Sequence, residues 1–130
     1  MNLNNFTIKA QEAIAQAQQQ AYNSQNPNIE TEHLLKSLLT EEDSPIEYLL
    51  KKNNINIPFV QTKIEEDIQK LPKVQGTEPA QTMGRDLNTV MLKANSVLKS
   101  FGDEFVSVEH LLLAILMGND NSSKILKDAF

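Results

Sequence analysis

The chain has no cysteine, which excludes a disulfide framework, a thiolate zinc site and a cysteine nucleophile. Its four glycines, Gly76, Gly84, Gly102 and Gly118, are scattered, and none stands in a Gly-x-x-x-x-Gly-Lys-Ser/Thr phosphate loop. No apolar run approaches the roughly 20 residues of a membrane span, and the opening Met1-Asn2-Leu3-Asn4-Asn5 lacks the basic-then-apolar order of a leader. Positive charge is scarce as well. Twelve basic residues against 17 acidic ones leave a net charge of −5 with no basic cluster, which argues against nucleic acid and anionic membranes as partners. These absences together lead to the expectation of a cytoplasmic protein that uses no metal and no cofactor of its own.

What is present is a foldable composition. In 130 residues, 40% are hydrophobic and 22% charged, an ordinary balance for one domain able to bury a core. Apolar residues recur at helical spacing nearly throughout. Ala10, Ala13, Ile14, Ala17 and Ala21 predict a helix over 7–23 with a small-residue stripe that lets a partner approach closely. Asn26-Pro27-Asn28 breaks the chain, and a short leucine-rich helix follows over 31–39. Ser44-Pro45 reads as an N-cap with proline in the first turn, opening a helix through Lys52 that buries Ile46, Leu49 and Leu50. A fourth helix from near Pro58 carries Val60, Ile64, Ile68 and Leu71 and closes at Pro72.

The pattern then restarts. Residues 28–35, Asn-Ile-Glu-Thr-Glu-His-Leu-Leu, return seventy-seven positions on as Phe-Val-Ser-Val-Glu-His-Leu-Leu over 105–112. The stripe of the first helix falls on Leu87, Val90, Met91, Ala94 and Leu98 in the same register. A repeat of that length is a structural unit. The expected architecture is all-α: repeat one over about 1–72, an exposed linker over 73–82, and repeat two over about 83–130, with about seven helices in one domain. Helices are expected over 85–100, from a Ser107 cap to Met117, and from Asn121-Ser122 onward. The counterpart of the fourth helix would lie beyond Phe130, which predicts an apolar patch where it should pack, exposed or covered by a partner chain.

Side chains able to do chemistry are few. His33 and His110 follow Glu32 and Glu109 without the His-Glu-x-x-His spacing of a helical zinc site, so helix-start packing is the better reading. The carboxylate runs 41–43 and 65–67 read as solvated surface, and no serine stands in a Gly-x-Ser-x-Gly elbow. A hydrolase therefore draws little support. Thr7, Asp103, Glu32 and Glu109 stand at element junctions, where capping and the helix dipole explain polar residues on spacing alone.

The tandem Glu-His-Leu-Leu helices, the junction run Lys70-Leu71-Pro72-Lys73-Val74-Gln75-Gly76 and the segment Gly102-Asp103-Glu104-Phe105-Val106-Ser107 together resemble the Clp N-terminal domain of bacterial AAA+ unfoldases. The pattern is most like that of ClpB-type disaggregases. The resemblance implies a non-catalytic recognition module that binds exposed hydrophobic segments of misfolded or aggregated proteins. It also implies a hexameric parent whose ATPase domains, outside this chain, use ATP and work with a DnaK-type chaperone. The resemblance implicates the residues matching Thr7, Asp103 and Glu109 in substrate handling, and Met91, whose flexible thioether suits varied apolar contacts, His110 and Glu32 are weaker candidates in this chain. Related chains often carry an apolar residue where His110 stands. A ClpC- or ClpA-type alternative implies adaptor docking, or phosphoarginine held by Glu32 and Glu109.

Overall fold

The computed structural model describes residues 3–41, 44–75 and 82–130. Among them the chain forms seven helices: α1 (Ile8–Asn23), α2 (Thr31–Thr40), α3 (Pro45–Lys52), α4 (Ile57–Lys70), α5 (Arg85–Phe101), α6 (Val108–Leu116) and α7 (Asn121–Ala129). The fold is all-α, and the helix boundaries follow capping chemistry. Thr7 Oγ1 accepts from the Ala10 amide at 3.1 Å, Ser44 Oγ from Glu47 at 3.1 Å and Asn56 Oδ1 from Phe59 at 3.1 Å, each satisfying one of the orphan donors of a first turn. α7 is capped by Asp120, whose carboxylate accepts from the Ser123 amide at 2.9 Å, one residue ahead of the expected start. α5 ends at Gly102, whose φ of +68° takes the left-handed turn that glycine adopts without steric cost.

The core is built around the two repeated helices. Leu34 and Leu35 of α2 and Leu111 and Ile115 of α6 are fully buried, each stabilising the fold by roughly 1.5–3 kcal/mol relative to exposure. The alanine stripe of α1 lies against α2, close enough for Ser37 Oγ to donate to the Ala13 carbonyl at 2.6 Å. α4 packs across α2 and α7, with Val60, Ile64 and Ile68 buried. Leu49 and Leu71, expected inside, are only half-buried, each at the end of its helix's apolar face.

Two short parallel pairings interlock the repeats. β1 (Asn28–Ile29) pairs with β2 (Thr82–Met83), Ile29 opposite Met83, and Phe6 bridges to Val106. Under the seventy-seven-residue offset these are one pairing made twice: the segment before the first helix of each repeat joins the segment before the second helix of the other. The backbone bonds repeat too, Thr7 N–H to the Val106 carbonyl at 2.9 Å and Gly84 N–H to the Ile29 carbonyl at 2.8 Å. The expected linker over 73–82 is therefore tied at both ends, since the Val74 amide also donates to the Gln25 carbonyl at 2.8 Å and Thr82 lies in β2. Its residues 76–81 lie outside the described residues, as do residues 42 and 43 of the acidic run over 41–43.

Candidate functional site

The two histidines organise the ends of α2 and α6 in the same way. His33 Nδ1 accepts the backbone N–H of Glu30 at 2.9 Å, and His110 Nδ1 accepts that of Ser107 at 2.9 Å. With Nδ1 an acceptor, the ring proton sits on Nε2. In repeat one it is donated to Asn26 Oδ1 at 2.8 Å, which turns the amide so that Nδ2 donates to the Pro72 carbonyl at 3.0 Å, at the end of α4. In repeat two it is donated to Asp103 Oδ2 at 2.9 Å. Asn26 and Asp103 are repeat equivalents. One relay ends in an amide that donates, the other in a carboxylate that only accepts.

That carboxylate stands at the edge of an open groove of about 480 Å³ between α3 and α6. The groove's apolar lining comes from Leu49 and Leu50 of α3, Leu112, Leu113 and Leu116 of α6, and the exposed rings of Phe101 and Phe130. Asp103, Glu109 and His110 supply its polar wall. Asp103 and Glu109 are exposed and His110 is buried, its ring tilted 6.2 Å from Phe101. Of the residues singled out in the sequence, the structure thus gathers Asp103, Glu109 and His110 on one groove. Thr7 caps α1, donates its backbone N–H to the Val106 carbonyl and does not line the groove. Met91 is in the core, 5% exposed, and does not line the groove.

Glu32, the counterpart of Glu109, has a different environment. Half-buried beside α4 and α7, its carboxyl is pushed up to about 7 by burial, reinforced by the negative charges of Glu30, Asp67 and Asp120. His33 next to it is driven down to about 4 by burial and by Lys36, which suits a neutral imidazole locked in a relay. Among the described residues no cluster of His, Asp or Glu is arranged to hold a metal ion. No described helix is long and apolar enough to cross a membrane.

Residues 5–129 match the family model described as the Clp repeat N-terminal domain. The chain belongs to the Clp repeat N-terminal domain family. Its curated relatives include the chaperone protein ClpB of Bacteroides thetaiotaomicron, 40% identical over 129 residues, which span 99% of this chain and 15% of that protein. ClpB 2 of Nostoc is 42% identical over 113 residues, 87% of this chain and 13% of that protein. This Clp N-domain therefore spans about 15% or less of the length of these two relatives. Among solved structures, the Hsp104 N-terminal domain from Candida albicans superposes with a TM-score of 0.79 at 24% identity, over 96% of this chain and 81% of that one. A ClpV N-domain solved in complex with a VipB peptide gives 0.76 at 16% identity, over 100% and 84%.

The groove partner that the sequence did not reveal is α3. Leu49 and Leu50 read only as core-facing residues of a short helix, and their position across from α6 follows from tertiary packing. Asn26 was hidden similarly: beside Pro27 it reads as a chain breaker, and nothing local marks it as a relay member.

Proposed function

We propose that this Clp N-domain is the substrate-recognition module of a ClpB-type protein disaggregase, a binding domain without catalysis that captures exposed hydrophobic segments of misfolded or aggregated proteins. The observation that carries the reading is the apolar groove with Asp103 and Glu109 on its wall. An apolar surface rimmed by polar residues suits weak capture of many sequences. The ClpB relatives and the peptide-bound ClpV N-domain support the same role. ATP hydrolysis, a hexameric ring and cooperation with a DnaK-type chaperone belong, in this reading, to a longer parent protein in the cytoplasm. Thr7 keeps the α1 end in register through its cap and its bond to Val106, while Asp103 and Glu109 meet polar groups of the bound segment.

An adaptor or phosphoarginine role draws less support, because Glu32 and Glu109 are not equivalent carboxylates: one is half-buried and held toward its neutral form, the other is exposed.

Titration with an unfolded, non-cleavable protein, followed by amide chemical shifts, tests the proposal. Perturbations should gather on Asp103, Glu109 and the α6 leucines, with a smaller response at Thr7. Shifts scattered over the surface, or none at all, would overturn it.

A further inference from the structure

A second depression, of about 480 Å³, lies on a different face of α6, where the first half of α5 passes the end of that helix. Buried Val90 and Ala114 form its floor, exposed Leu92 and Met117 its walls, and Asp86 and Asp120 its acidic rim. It shares no lining residue with the α3–α6 groove. The last helix of a repeat does not reach this seam: in repeat one, with α4 in place on α2, α3 and α7, the equivalents of Leu92 and Met117, which are Ala15 and Thr40, stay exposed.

The chemistry of the seam is reversed between the repeats. In repeat one it carries its own cation, Lys9 Nζ, 2.8 Å from Glu41 Oε1. In repeat two Asp86 stands in the place of Lys9 and Gly118 in that of Glu41, while alanine and threonine have given way to Leu92 and Met117, 67% and 51% exposed. The cation is lost and two large apolar side chains are gained. Asp86 forms no ion pair among the described residues, and Asp120 spends only Oδ1 on capping α7.

The negative field at this end is felt by its neighbours. Burial, reinforced by Asp86, raises the Glu30 carboxyl, and burial, reinforced in part by Asp120, raises that of Glu32. The carbonyls at the end of α6 add partial negative charge, and that of Gly118 already draws Lys127 Nζ to 2.7 Å. Lys93, two turns along α5 from Asp86, gives the depression a positive far side. A ligand cation therefore belongs at Asp86.

We propose that the α5–α6 depression is a separate docking site for a partner protein segment in which a lysine or arginine adjoins a large apolar residue. The apolar side chain packs on Leu92 and Met117, and the cation meets Asp86, supplying from outside the ion pair that repeat one makes within itself. This site is independent of the α3–α6 groove and of the capture of unfolded chains there.

The test uses blocked peptides of glycine and serine that differ only in a central Leu-Lys, Leu-Gln, Leu-Glu or Ser-Lys pair, titrated by amide shifts. Leu-Lys should bind about fivefold more tightly than Leu-Gln, the scale of one partly exposed ion pair, with shifts at Asp86, Leu92, Met117 and Gly118, and both Leu-Glu and Ser-Lys should bind more weakly than Leu-Lys. Asp86→Lys, which installs the repeat-one residue at an exposed position, should abolish the preference for lysine and leave Leu-Gln binding intact. Leu92→Ala should weaken Leu-Lys and Leu-Gln alike. A lysine preference that survives Asp86→Lys would come from the net charge of the chain and overturns the inference, as does equal binding of Leu-Lys and Leu-Gln. Shifts centred on the α3–α6 groove, or no binding at all, overturn it too and leave the role of that groove standing. Concentration-dependent shifts at Leu92 and Met117 without peptide would assign the face to a second copy and overturn the partner segment.

Discussion

Repeat one and repeat two share the histidine, the glutamate and the leucines of their central helix, and differ in what those residues face. In repeat one α4 covers the surface, a neutral amide holds the end of α4, and Glu32 is half-buried. In repeat two the same surface is open, a carboxylate replaces the amide and Glu109 lies in solvent. A second contrast lies on the opposite side of the repeats. Lys9 and Glu41 pair at 2.8 Å over the α1–α2 seam, whereas their equivalents Asp86 and Gly118 cannot pair and instead line the second depression with exposed Leu92 and Met117. The two halves share one scaffold, and the contrasts between them lie in point differences at its edges.

The sharpest way to break this contrast is to give repeat one the chemistry of repeat two. Asn26→Asp would set a buried carboxylate against the Pro72 carbonyl with no donor between them, and should cost about 3 kcal/mol in urea unfolding at neutral pH. The reciprocal Asp103→Asn, at an exposed site, should stay within about 0.5 kcal/mol. Comparable losses in the two variants would mean that the relays are not differentiated as described.

The N-caps offer the next test. Thr7 and Gly84 are repeat equivalents, and a Cβ placed on Gly84 would lie 1.7 Å from Glu30 Oε1. Glycine is there because Glu30 is long, while threonine fits at position 7 because the facing counterpart of Glu30 is the shorter Ser107. Because the clash is with the end of a flexible side chain, Gly84→Thr alone should lose only about 1 kcal/mol, and most of that should return in the double variant with Glu30→Ser, measured as a thermodynamic cycle. A purely additive cycle would refute the steric account.

The last effect expected, no larger, is electrostatic. Glu32 has its folded-state pKa raised from 4.5 to about 7, so the stability it contributes is fully present below pH 4.5 and is lost as pH rises through 7. Glu32→Gln should therefore gain on the order of 1 kcal/mol over the unaltered chain at pH 8, and nothing at pH 4.5. A gain independent of pH would place the effect in packing instead.

The helices, their order and most of their caps were legible because apolar spacing and capping residues act over a turn or two. The pairing of Ile29 with Met83 and of Phe6 with Val106 was not, since one or two residues of strand have no periodicity to read. The groove was half legible: the repeat register places Asp103, Glu109 and His110 at the start of one helix, yet only packing puts α3 opposite them. Met91 shows the limit from the other side, because at helical spacing a methionine of the core and one of a groove look alike.

The crossed pairings also bear on how the molecule is made. Phe6 finds its partner one hundred residues downstream, and β1 finds its own only across the junction, so neither half can close its ladder until the other has been synthesised. Contacts of such sequence separation are slow to form and late to reward the chain. The first half should leave the ribosome as a loosely ordered helical intermediate, and assembly should be cooperative, with both ends joining in one step.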